Sequence, residues 1–222
     1  VLPVPDGGPG SALALPAARV HSRTVLHGAG PLGDIREVDL VRLALPETAD
    51  PEEGPEGAAA RAAPSPGAAP GRAGRSAGSR RPRSATWFLD AARLTAPPAD
   101  RALAGREARE GTTRGLGEVL AAALEATGAH DVLIAGLARG AVHDGGAGLL
   151  DSLGGPRSAP GLMAGRELVL ALADDAPLGG MNGAGRALAA LSNLGAGQVQ
   201  DLDRRACARA RRILVELAAP RV

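Results

Sequence analysis

No lysine occurs anywhere in this 222-residue chain; all 25 positions counted as Lys plus Arg are arginine. A P-loop lysine, a Schiff-base lysine and an ammonium clamp on phosphate are thereby excluded. Tyrosine is absent too, and Trp and Phe occur once each. Drift towards GC-rich codons accounts for these scarcities, since Ala, Gly, Pro and Arg abound, but the chemical exclusion holds whatever its cause. A single cysteine, Cys207, excludes an internal disulfide framework and a Cys-based zinc site, so nothing argues for an oxidising compartment. Its surroundings from Leu202 to Leu217 predict a small buried helical residue, not a nucleophile. The start, Val1 to Asp6, lacks the basic opening and long apolar run of a signal peptide, and no stretch approaches membrane-spanning length. A cytoplasmic protein with no membrane partner is expected. An opening without Met points to residues upstream of Val1. Excess charge is missing as well: a net +1 fits neither a polycation seeking nucleic acid nor an acidic solvating chain.

What the chain does contain is alternation. Arg19 to Leu26 and Glu37 to Leu45 are rich in β-branched and aliphatic residues and predict two strands joined through Gly30-Pro31-Leu32-Gly33. Thr86 to Leu89 predicts a short strand. Leu116, Val119, Leu120, Ala123, Leu124 and Thr127 share one helical face, with Gly128 where a C-terminal cap is expected. Asp131 to Leu137 and Glu167 to Ala173 are short apolar runs that predict strands buried on both faces, with a helical stretch near Ala147 to Leu153 between them. A last helix, Val199 to Leu217, would turn Leu202, Ala206, Ile213, Leu214 and Leu217 inward. Strands alternating with helices predict an α/β core.

The chain divides into a first segment, residues 1–45, an insertion, residues 46–85, and an α/β segment, residues 86–222. From Pro46 to Arg83 the insertion has hardly any large apolar residue, so it cannot repay the entropy of ordering and is expected to be disordered. Its basic end, from Arg72 to Arg83, offers charge to phosphate but no interleaved aromatic for base stacking; a solvated loop is the better reading, and no nucleic-acid partner is expected.

Two Gly-rich loops follow strands, the setting in which α/β folds bind ligands. In the first, Gly136 to Gly148, the glycines let backbone amides approach an anion. Asp144 is placed to hold a Mg²⁺-bound water or a substrate hydroxyl, the competing reading being a helix cap in a tight turn. His143 beside it reads more simply as a local hydrogen-bonding residue. The second, Asp174 to Ala184, offers paired carboxylates that suit a metal or an alcohol proton, or else an ordinary Asp turn. Leu2 to Ser11 is a third acidic, Gly-rich turn. None has Walker or dinucleotide-fingerprint spacing.

The order of these pieces is more specific than any one of them. Leu2 to Ser11 resembles the LPVADGGEGT segment of bacterial glycerate kinases, Gly30 to Gly33 their GPLG, and Thr112 to Val119 their TSYGTGEL. Gly136 to Gly154 is similar to their GLGGSATNDGGAGMLQALG, and Asp175 to Leu178 with Gly183-Ala184 to their DNPLLGPNGA. The resemblance implies a two-domain α/β architecture and ATP- and Mg²⁺-dependent phosphoryl transfer to a hydroxyl of glycerate. It places Asp144 and Asp175 in catalytic positions, Asp144 also on the metal. Asp6, Gly7, Gly8, Gly140, Gly145, Gly146 and Arg139 fall in positions around ATP.

The chain departs from that pattern in ways that bear on activity. The family's lysine-bearing APDSFKGS would precede Val1, its GGSATN becomes Ala138 to His143, and Leu194 stands at the lysine of PQKGA. The family's Gly-rich C-terminal portion has no counterpart, so the resemblance implies an incomplete nucleotide domain. Arg139 is the candidate substitute for lost lysine charge, although a guanidinium is no drop-in for an ammonium. A non-catalytic paralogue serving as a small-acid-binding or protein-interaction scaffold is therefore the competing expectation.

Overall fold

A computed structural model describes residues 7–44, 84–180 and 182–219, which belong to one packed unit. Asp6, Met181 and the insertion from residue 45 to residue 83 lie outside the described residues.

After a short helical turn, α1 (Ser11–Ala14), the chain forms a hairpin of β1 (Val20–Ala29) and β2 (Ile35–Leu43). The predicted Gly-Pro-Leu-Gly connection makes the reversal: Gly33 donates to the Gly30 carbonyl at 3.0 Å and sits at φ +90°, a region disfavoured for residues with a Cβ. β3 (Thr86–Leu89) adds antiparallel to β2, with Leu43 opposite Thr86. α2 (Ala92–Thr95), α3 (Arg101–Glu110) and α4 (Arg114–Ala126) lead to β4 (Val132–Leu137), parallel to β3. α5 (Ala147–Ser152) and α6 (Ala159–Leu162) lead to β5 (Glu167–Leu172), parallel to β4, and α7 (Ala184–Leu191) and α8 (Ala196–Ala218) close the chain. The sheet order is β1-β2-β3-β4-β5, antiparallel in its first half and parallel in its second.

The main core lies between the sheet and α4, where Val38, Leu40, Leu89, Val119, Leu124 and Leu133 pack with Leu94. Each such side chain removed from water stabilises the fold by about 1.5–3 kcal/mol. α4 approaches so closely because of Gly115: a Cβ there would lie 1.8 Å from the Ala29 carbonyl oxygen. A second cluster joins α3, α7 and α8 through Ala104, Ala108, Leu188, Leu194 and Leu202.

Several expectations need correction. α4 does not end on a left-handed Gly128; Thr127 is the extended cap residue, and the Gly128 N–H donates to Asp131 at 2.9 Å. β5 is not buried on both faces. It is the free edge of the sheet, with Leu170 54% and Leu172 62% exposed, because no further element of the described residues covers it. Leu214 and Leu217 of α8 are also exposed where an inward face was expected, although Leu202 and Ala206 are buried. Cys207, expected inside, is exposed on α8. Between β5 and the end of α8 a wholly apolar hollow of about 320 Å³, bordered by Leu170 and Leu217, offers no group for chemistry. No helix of the described residues is long and apolar enough to cross a membrane.

Candidate functional site

β4 and β5 run side by side, so the loops that leave their carboxyl ends meet. Together with Thr113 they enclose a cleft of about 220 Å³. Its wall includes Arg139, Gly140, Asp144, Gly145 and Gly146, the first Gly-rich loop of the sequence reading. The second loop contributes Asp174, whereas Asp175 is exposed and does not line the cleft. Among the described residues, no backbone N–H from Gly140 to Gly145 finds an acceptor within the protein. Peptide N–H groups are nearly always paired, so donors left without a protein acceptor beside a cleft are free for water or for an oxyanion.

Asp144 does not stand open to this cleft. Its carboxylate is buried and accepts hydrogen bonds from the Thr113 N–H at 2.8 Å, the Thr113 hydroxyl at 2.8 Å, the Gly146 N–H at 2.9 Å and the Gly148 N–H at 3.1 Å. Thr113 Oγ1 in turn accepts from the Leu149 N–H at 3.0 Å. The carboxylate thus ties the start of α4 to the start of α5, and its lone pairs are occupied. Among the described residues no three His, Cys, Asp or Glu side chains converge as a metal site. In this arrangement the Asp144 carboxylate presents no open lone pair to a Mg²⁺ ion.

Arg139 is likewise engaged. Its guanidinium grips Asp174 in a two-pronged pair, Nη2 donating to Oδ1 at 2.8 Å and Nε to Oδ2, and Asp174 Oδ1 also accepts from the Ala176 N–H at 3.1 Å. The Arg139 hydrogen bond first, and the Ala176 N–H second, hold the Asp174 carboxyl down at about 2. The pair latches the two loops together across the cleft mouth. His143 is buried and pairs with Asp203 of α8, Nε2 to Oδ1 at 2.6 Å.

The amino-terminal glycines come to the same end of the sheet without lining the cleft. Gly7, at φ +91°, presses on the end of β5, where an added Cβ would sit 2.7 Å from the Ala171 carbonyl oxygen. Gly8 is buried beside it. Asp6 lies outside the described residues.

Sequence reasoning gave no role to Thr113, Asp203 or Asp90. Thr113 could have been found, since it lies in a segment already matched to a motif. Asp203 carried no signal, being far from His143 in sequence on an Arg-rich helix. Asp90 directly follows β3 and is fully buried: Oδ2 accepts from the Ala12 N–H at 3.2 Å, Oδ1 has no hydrogen-bond partner among the described residues, and burial pushes the carboxyl up despite the N–H groups of Ala12 and Gly10 and the charge of Arg93.

No protein-family model and no curated protein matches this chain. Among solved structures it resembles the crystal structure of "putative glycerate kinase 2" from Salmonella typhimurium LT2, with a TM-score of 0.61 and 20% sequence identity over 96% of this chain. The match covers 53% of that protein, so this chain spans about half its length. The likeness extends to the fold: a mixed α/β chain with a glycerate-kinase-like arrangement of its elements.

Proposed function

We propose that this chain is a divergent glycerate-kinase-like protein whose cleft binds the anionic reactants of organic acid phosphorylation, a small hydroxy acid such as glycerate and the phosphates of ATP. The observation that carries this reading is the run of unpaired N–H groups from Gly140 to Gly145 at the carboxyl ends of two adjacent parallel strands. Such donors cost no reorganisation when a charged oxygen arrives, and they act without lysine. At about 220 Å³ the cleft is smaller than the roughly 300–1,000 Å³ of typical small-molecule sites, so it suits an acid or a phosphate group better than a whole nucleotide. ATP, when bound, would supply the phosphoryl group. Gly140 and Gly145 would present backbone donors to its oxygens, Gly146 would hold the loop through its bond to Asp144, and Arg139, once released from Asp174, would add positive charge. Asp175 stands exposed beside the latch and outside the cleft wall, so it would meet an acceptor hydroxyl only from the cleft's rim.

A second reading, a non-catalytic scaffold that binds a small acid or a protein partner, is favoured by two engaged groups: Asp144 has no open lone pair, and Arg139 is held by Asp174. Loss of one well-placed transition-state donor or cation typically costs on the order of a hundredfold in rate. Purified protein should therefore show a melting-temperature rise with glycerate or ATP but little ADP release in a coupled assay with both and Mg²⁺. Ordinary kinase turnover would discard the scaffold. Absence of any ligand-induced shift would discard the binding role itself.

A further inference from the structure

On the far side of the Asp144 loop, α8 carries Arg205, Arg209 and Arg212 at i, i+4 and i+7, a spacing that puts them on one helical face. Arg205 and Arg209 line a small cleft of about 30 Å³ together with Arg109 of α3, and His143 and Asp144 line it too. Arg209 is positioned there by its own hydrogen bond, Nη1 donating to the Asp144 carbonyl at 3.4 Å. The loop lies directly on the helix: a Cβ on Gly145 would come within 2.7 Å of the Ala206 carbonyl oxygen.

These guanidinium groups lack what arginines on neighbouring helix surfaces have. Arg106 pairs with Glu110, Arg114 with Glu118 and Arg204 with Asp201, whereas Arg109, Arg205 and Arg209 form no ion pair with any described residue. The carboxylates near the cleft cannot serve them: Asp144 is saturated by N–H and hydroxyl donors, and Asp203 is taken by His143. Like charges one turn apart destabilise a helix, a cost that a bound anion reverses.

We propose that Arg109, Arg205 and Arg209 form a binding site for a multiply charged oxyanion of phosphate chemistry, separate from the amide-lined cleft and behind it. Planar guanidinium groups from two helices can each offer paired N–H donors to phosphate oxygens, which suits a phosphate or pyrophosphate group better than a single carboxylate. Because Asp144 and His143 line both clefts, an anion held on this side braces the loop that walls the other. The assignment does not depend on the chain being a kinase.

The test is titration calorimetry with inorganic pyrophosphate at constant ionic strength, on the wild type and on Arg109→Gln, Arg205→Gln and Arg139→Gln. The Arg109 and Arg205 side chains make no hydrogen bond to a described residue, so replacing them leaves the fold its contacts. Each should weaken pyrophosphate at this site about tenfold, while Arg139→Gln should weaken only a separate binding event at the other cleft and leave this one in place. Arg204→Gln, outside the cleft, controls for general loss of charge. Loss in Arg139→Gln with none in Arg205→Gln would place the anion in the amide-lined cleft and overturn the proposal, as would equal loss in Arg204→Gln or no saturable binding by the wild type. A single-stranded RNA oligomer that binds far more tightly than pyrophosphate, with affinity falling steeply in salt, would replace the small anion by a nucleic-acid backbone.

Discussion

The Asp144 carboxylate receives both donors of Thr113, the backbone N–H and the hydroxyl, each at 2.8 Å. A buried anion saturated in this way belongs to the framework of the loop. Thr113→Val should remove one donor from the carboxylate and the acceptor of the Leu149 N–H, costing roughly 2–3 kcal/mol, and Thr113→Ser should restore most of it. Asp144→Asn should be at least as harmful, since an amide NH₂ would face N–H donors. Urea midpoints measure this; an unshifted midpoint for both Asp144→Asn and Thr113→Val would show that the network contributes nothing.

Asp90 should behave in the opposite sense. Burial raises its carboxyl pKa, so the folded state resists ionisation more than the unfolded chain does. Stability from this group is present in full below the ordinary carboxylate value of about 4 and is lost as pH rises through the raised folded value. Asp90→Asn keeps the shape without the charge. It should be at least as stable as the wild type at pH 7 and less stable relative to it at pH 3. A wild-type advantage at pH 7 would mean that the ion is stabilised by its surroundings.

The Arg139–Asp174 latch gives a third expectation. Asp174 is held at about 2, so its ion pair is intact above the unfolded carboxylate value and is lost only as pH falls towards 2. Both side chains are partly exposed, and the effect on overall stability should be small. Ligand affinity should respond more. Asp174→Asn frees Arg139 at neutral pH and should tighten binding of ATP or glycerate several-fold by calorimetry, whereas a weaker complex would show that Asp174 itself serves the ligand.

Leu43 and Thr86 are paired across β2 and β3, so the strand ends flanking residues 45–83 are already adjacent. Replacing residues 46–83 with a four-residue turn should therefore preserve the hairpin and raise stability by up to about 2 kcal/mol through the smaller closure entropy. Circular dichroism with thermal melting decides this. A lost or broadened transition would show that the segment contributes to the fold.

Much of the architecture was legible because hydrophobic period reports burial. Val38, Leu40 and their neighbours marked β2, Val119 to Leu124 marked α4, and both lie at the core. α3 gave no such signal: its RALAGREARE sequence is half charged and holds one large apolar residue, and it is fixed by tertiary contacts of Ala104 and Ala108 and by the Arg36–Glu107 ion pair at 2.8 Å. β5 and the end of α8 were misread for the converse reason. Leu170 and Leu217 carry the pattern of buried residues, but pattern does not say what covers them. At the candidate site the glycine loop was visible in the spacing. The engagement of Asp144 by Thr113 was not, because hydrogen-bond saturation depends on which distant residue arrives.

The free edge of β5 also bears on how the protein behaves in a tube. Leu168 to Leu172 contains neither charge nor proline, and its outward backbone groups can template another strand. Concentrated samples should scatter light increasingly with time and seed their own precipitation. Leu170→Lys, which would bring in the chain's first lysine, should act as a gatekeeper that keeps solutions clear.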